Sequence, residues 1–205
     1  MANEITRLLP FRQYDENDVI NFFSLDAITG SAGSVVQISS ANLNQDPVLY
    51  TTRGDAYQNT LGNALSLYPT VPHKVSVVAG TGAAVKPIGL LLRDVRSLDE
   101  NGENLLYYNQ KKEELQAVVS GEAVPIATKG LFTINVNGLA GGVVPALNSL
   151  AIPAANGTLT GVLSSVASQE EKDVSVGKFI ATGSRTSGLE ADAFIGSYAM
   201  LKLEL

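Results

Sequence analysis

The chain has 205 residues, no cysteine and no tryptophan, and sets 14 basic against 20 acidic side chains for a formal charge of −6. Lack of cysteine excludes thiol catalysis, Cys-based metal sites and disulfides, and the acid excess argues against the basic stripe that a nucleic-acid surface needs. A compact chain of this length buries roughly 70 % of its unfolded surface, enough for a core without metal or disulfide staples.

The N-terminal stretch MANEITRLLPFRQYDENDV contains no uninterrupted apolar run of the secretory type. No apolar run approaches the roughly 20 residues of a membrane-crossing helix. The expectation is a soluble protein, made in a cytoplasm, with neither nucleic acid nor membrane as partner. Residues 1–30 read as an N-terminal arm with at most short helical turns. Leu8, Leu9 and Phe11 form one apolar cluster, and Val19, Ile20, Phe22, Phe23 and Leu25 form another. Pro10 interrupts any long helix by removing a donor and restricting its predecessor. Asp15 or Asn17 is placed to cap a helical turn over Asp18–Phe23. So much apolar surface must be covered, either by the arm's own domain or by a neighbouring subunit. On the second alternative the partner-contact residues are Leu8, Leu9, Phe11, Val19, Ile20, Phe22 and Phe23.

From residue 31 to 205 the texture is that of a β-rich domain, with its core at about 75–205. SVVQIS at Ser34–Ser39 reads as a strand. Within the polar stretch Asn42–Tyr68, Val48–Thr52 and residues 58–68 are weaker strand candidates. Lys74–Val78 and Ile88–Val95 read as strands around a loop containing Gly80, Gly82 and Pro87. Asn101-Gly102, between Val95 and the run Leu105–Tyr108, is a strong hairpin signal. Two more Asn-Gly pairs follow at 137–138 and 156–157.

The clearest period-2 pattern lies in Glu114–Gly138. Leu115, Ala117 and Val119 alternate with Gln116, Val118 and Ser120, only Val118 being out of step. After Lys129-Gly130, Phe132, Ile134 and Val136 share one face opposite Leu131, Thr133, Asn135 and Asn137. Next comes a small-residue loop through Ala151–Gly157, then strand candidates at Thr158–Leu163, Gly177–Thr182 and Ala193–Leu203. Short strands at about ten-residue spacing, separated by Gly and Asn, indicate an all-β sandwich or barrel.

Residues with reactive chemistry are sparse. His73 is the one histidine; zinc and facial-triad iron sites need more, and a loop or surface role is the expectation. Gly80-Thr81-Gly82 lacks the third glycine and the following helix of a dinucleotide fingerprint, so it reads as a turn. The acidic group Asp94, Asp99, Glu100 and Glu103 lacks EF-hand spacing and reads as a solvated hairpin tip. No catalytic, cofactor-binding or metal residue is assigned.

Several runs carry a resemblance. Gly89-Leu90-Leu91-Leu92-Arg93-Asp94-Val95 resembles the glycine, aliphatic, Asp-Val strand of tailed-phage head decoration (cement) proteins. Ala117–Pro125 and Lys129–Ile134 are similar to the glycine-punctuated strand pair of that family. Gly157-Thr158-Leu159, Val176–Gly183 and the final apolar strand Gly196–Leu203 continue its order. Asn21–Leu25 looks like the opening of virion structural proteins of large tailed phages. The resemblance covers roughly residues 75–205. It implies a small β-barrel or β-tulip-like domain on the capsid exterior, a homotrimer that clamps junctions of the major capsid protein, synthesised in the host bacterial cytoplasm and without enzymatic activity. An arm strand such as Ser34–Ser39 could then add to a sheet edge. The alternatives are a neck, tail or baseplate subunit, or a carbohydrate- or receptor-binding module, the last disfavoured by the lack of Trp platforms.

Overall fold

A computed structural model describes residues 7–25, 30–40, 73–82, 84–99, 101–105, 108–185 and 196–205. The candidate strands at Val48–Thr52 and 58–68 lie outside the described residues. The rest is mostly β, as the turn spacing predicts, in antiparallel sheets that do not close into a barrel.

The strands are β1 (Leu8–Gln13), β2 (Val19–Ile20), β3 (Val35–Ser40), β4 (Lys74–Val77), β5 (Pro87–Leu91), β6 (Asp94–Arg96) and β7 (Ala117–Val119). After them come β8 (Ile126–Ala127), β9 (Lys129–Asn135), β10 (Leu150–Pro153), β11 (Leu159–Val162), β12 (Gly177–Arg185) and β13 (Gly196–Glu204). Sheet A has the order β1-β9-β13-β12-β10-β11, and sheet B the order β2-β8-β5-β3-β4. A parallel pair, β6 with β7, makes a third and smaller layer.

Sheet B lies in the middle and is buried on both faces. Because successive side chains point to opposite faces, neighbouring residues enter different cores. Val35, Leu90 and Ala127 join the core beneath sheet A, with Phe132, Ile134, Phe179 and Leu201. Their neighbours Val36, Leu91 and Ile126 join the core beneath β6 and β7, with Phe23, Leu25, Val95 and Val118. This explains why these strands read as continuous apolar runs rather than alternating ones. It also explains Val118, whose neighbours Ala117 and Val119 pack on Leu105 in a further cluster.

The stretch Glu114–Gly138 threads all three layers, contributing β7, β8 and β9 in turn. At the corner between β8 and β9, the Thr128 N–H and hydroxyl both donate to the Asp18 carbonyl, each at 2.9 Å. Gly130 follows at φ 137°, where a Cβ would crowd the carbonyl of Gln13.

Four local expectations change. The run Ile88–Val95 is two strands, because the chain bends at Leu92-Arg93 to leave sheet B for the third layer. The Asn101-Gly102 turn closes only one bridge, Leu98 to Asn104. A short helix, Asn109–Glu114, then replaces any extended return strand. The small-residue run from Ala151 lies largely in β10, and the loop is confined to Ala154–Thr158, with Asn156 and Gly157 at φ 57° and 68°. The helical turn near the N-terminus is Glu16–Asp18, capped by Asp15, and β2 begins where the turn was expected to continue.

One element carried an unread signal. Gln169–Asp173 is a short helix opened by a capping box, Ser168 with Glu171. The segment around it covers Leu150 and Ile152 on the outer face of sheet A with Ala167 and Val174.

Candidate contact surfaces

The seven residues expected to make partner contacts separate into three environments. Leu8, Leu9 and Phe23 are buried within the protein's own fold. Val19 and Ile20 are half-buried against the two main cores. Phe11 and Phe22 are exposed, Phe11 to 60 %. The reason is that the described part of the arm is woven into both sheets, β1 pairing with β9 and β2 with β8. Ser24 lies beside β4, its N–H donating to the His73 carbonyl at 2.8 Å and its carbonyl accepting from Val75 at 2.9 Å.

His73 is buried rather than on the surface. Phe22 stacks on its ring with centroids 4.4 Å apart, and Nδ1 is enclosed without a hydrogen-bond partner. The acidic group is likewise not one cluster. Asp94 lies inside, accepting from the Ala32 N–H at 2.6 Å and from Arg96 at 3.3 Å. Asp99 is at the turn, where its carboxylate accepts from the backbone of Asn101 and Glu103. Glu100 lies outside the described residues. Among the described residues no group of three or more acidic or histidine side chains is arranged to hold a metal.

Both edges of sheet A are blunted against strand addition. β1 shifts register between Leu8 and Arg12, with Pro10 in the interval. β11 is flanked by Leu139, which bridges to Leu159, and by Pro145, packed where a Gly161 Cβ would project. The segment Ser34–Ser39 cannot donate a strand elsewhere while it is paired on both sides, to β4 and β5. Edge augmentation by this segment is therefore corrected to an internal structural role.

Three surfaces stand out instead. The first is the half of sheet A's outer face not covered by the Gln169–Asp173 helix. Here Leu9, Pro10, Phe11, Thr133, Arg185, Tyr198 and Met200 line a concavity of about 420 Å³. The Thr133 hydroxyl at its floor is buried and without a partner. On the same sheet Ile180, the residue added by the β12 bulge, is also exposed. The second surface is a rim formed by the loops around β10 and β11, where Val143, Leu147, Leu163 and Val166 are exposed.

The third lies at the seam where β1 faces the Leu92-Arg93 bend. Two adjoining cavities of about 400 and 840 Å³ share Arg12, Leu92, Arg93 and Gln116 as walls. Burial lowers the Arg7 pKa against the opposing pull of Asp94, and burial raises the Asp94 carboxyl despite the Ala32 N–H and Arg7. The alternation in the sequence located the strands that carry these surfaces. It did not show which half of sheet A stays open, because that depends on where the capped helix lands.

The chain matches no protein-family model, no curated protein and no solved structure.

Proposed function

We propose that this protein is a non-enzymatic virion component that binds the outer surface of an assembled tailed-phage head and stabilises contacts between major capsid subunits. The observation that carries the reading is the open apolar half of sheet A, with Phe11 60 % exposed beside Leu9, Tyr198 and Met200. Contiguous apolar surface on an otherwise charged exterior marks a protein contact site. The aliphatic runs that resemble decoration proteins supply β5, β9, β12 and β13, which build the cores behind that face. The Val143–Val166 rim is a second apolar surface, suited to self-association as a trimer while the sheet face meets the shell.

A protein that binds only the assembled lattice stabilises it by mass action. Trimerisation multiplies a modest contact through effective concentration. Cryo-EM of purified particles and of tailless heads tests the reading, together with heads rebound by Phe11→Asp protein. Many ordered copies are expected on tailless heads. The variant should keep wild-type stability within about 0.5 kcal/mol and bind at least about tenfold more weakly. Density confined to a neck, tail or baseplate would replace the decoration reading with the alternative virion role.

A further inference from the structure

The groove at the seam combines features that the capsid-contact reading leaves unused. Its walls carry three arginines, Arg7, Arg12 and Arg93, in a chain that is acidic overall. The nearby carboxylates are mostly committed elsewhere. Asp94 is held by the Ala32 N–H and Arg96, and Glu113 pairs with Arg93 at 3.4 Å. Glu16 and Glu114 are exposed side chains in the lining.

Arg12, shared by both cavities, makes one hydrogen bond, to the Leu92 carbonyl at 3.3 Å, and has no ion pair among the described residues. Farther in, the Arg7 Nε is buried without an acceptor, while its Nη1 donates to Ser34 and to the Asn156 carbonyl. A buried guanidinium lacking a full complement of acceptors favours an incoming anion. Between the arginines the walls are aliphatic, with Leu8, Leu92 and Leu115 in one cavity and Val19, Val118 and Pro125 in the other. An elongated cleft with cations spaced between apolar walls matches a chain whose acidic and aliphatic side chains alternate.

We propose that this groove binds an extended acidic peptide segment, with an Asp or Glu carboxylate held by the Arg12 guanidinium. The β1 wall is six residues long, so a segment of about that length fills it at a strand rise of about 3.3 Å per residue. A planar guanidinium grips a carboxylate through two parallel N–H donors, which a lysine cannot reproduce. The site is independent of the Phe11 face and of any role on a capsid.

The test is fluorescence anisotropy of a labelled alternating Glu/Leu peptide of about six residues, titrated with the full chain. A Gln/Leu peptide of equal length provides the comparison. Saturable binding is expected for the Glu peptide, weakened at least about tenfold by the Gln replacement and by Arg12→Gln. Arg12→Lys keeps the charge and guards against a folding defect, and should weaken binding by about threefold or more. Phe11→Asp should leave this binding unchanged, so failure here is distinct from failure of the capsid reading. Equal binding of the two peptides, or indifference to both Arg12 substitutions, would overturn the proposal. So would NMR shifts at the Arg12 side chain with inorganic phosphate alone when the peptide does not bind, which would make the groove a small-anion site.

Discussion

Gly89 shows how one residue fixes the spacing of two strands. Its backbone is ordinary extended chain, yet a Cβ there would collide with the carbonyl oxygen of Ala127 and with Ile126. The glycine therefore permits close approach of β5 to β8 rather than an unusual turn. Gly89→Ala is expected to destabilise the protein by about 3 kcal/mol through overpacking. For a chain of this size that lowers Tm by roughly 6–12 °C. Gly80→Ala, with open space around the added methyl, should change stability by less than about 0.5 kcal/mol. Equal melting shifts for the two variants would remove the steric explanation. Within the sequence both glycines look like punctuation, because close approach depends on a partner strand some forty positions away. His73 escaped for the same reason: its ring is covered by Phe22, remote in sequence.

At the level of elements, strand existence was legible from alternation, and the bends were not. Val35-Val36 and Leu90-Leu91 are apolar on successive positions because sheet B has a core on each side, a pattern that also suits one long strand. The break at Leu92-Arg93 is held by long-range bonds. The Leu92 N–H donates to the Pro125 carbonyl at 3.0 Å, and Asp94 in β6 accepts the Ala32 N–H just before β3. Burial raises the Asp94 pKa above its ordinary 3.8. A carboxyl that binds its proton more tightly when folded favours the native state as pH falls from the raised value toward 3.8. Above that window its contribution is unfavourable and constant. Asp94→Asn keeps an oxygen for the Ala32 N–H but does not titrate. Denaturant melts of both proteins between about pH 3 and 8 should show the stability difference moving toward the variant as pH rises through the window, then levelling. A pH-independent difference would mean that the side chain is solvated in the native state.

For the whole molecule, the layers are coupled because single strands of sheet B feed two cores. Ile126 fills the core beneath β6 and β7, and the next residue, Ala127, fills the core beneath sheet A. Alternation along β9 could be read from the sequence, but the passage of Glu114–Gly138 through three layers depends on which strands it meets, and those pairings are nonlocal. The open seam at Arg12 was hidden for the same reason, since Arg7, Arg12 and Arg93 approach one another only when β1 is set against the Leu92-Arg93 bend. Sharing of strands predicts one cooperative unfolding transition. Leu201→Ala in the first core and Ile126→Ala in the second remove fully buried side chains, each at a cost of about 3–4 kcal/mol. Both substitutions should shift the far-UV dichroism and tyrosine fluorescence transitions together, with coincident midpoints. If Ile126→Ala instead separated the two probes into early and late transitions, the third layer would be folding on its own. The continuity of sheet B would then not transmit stability between the cores.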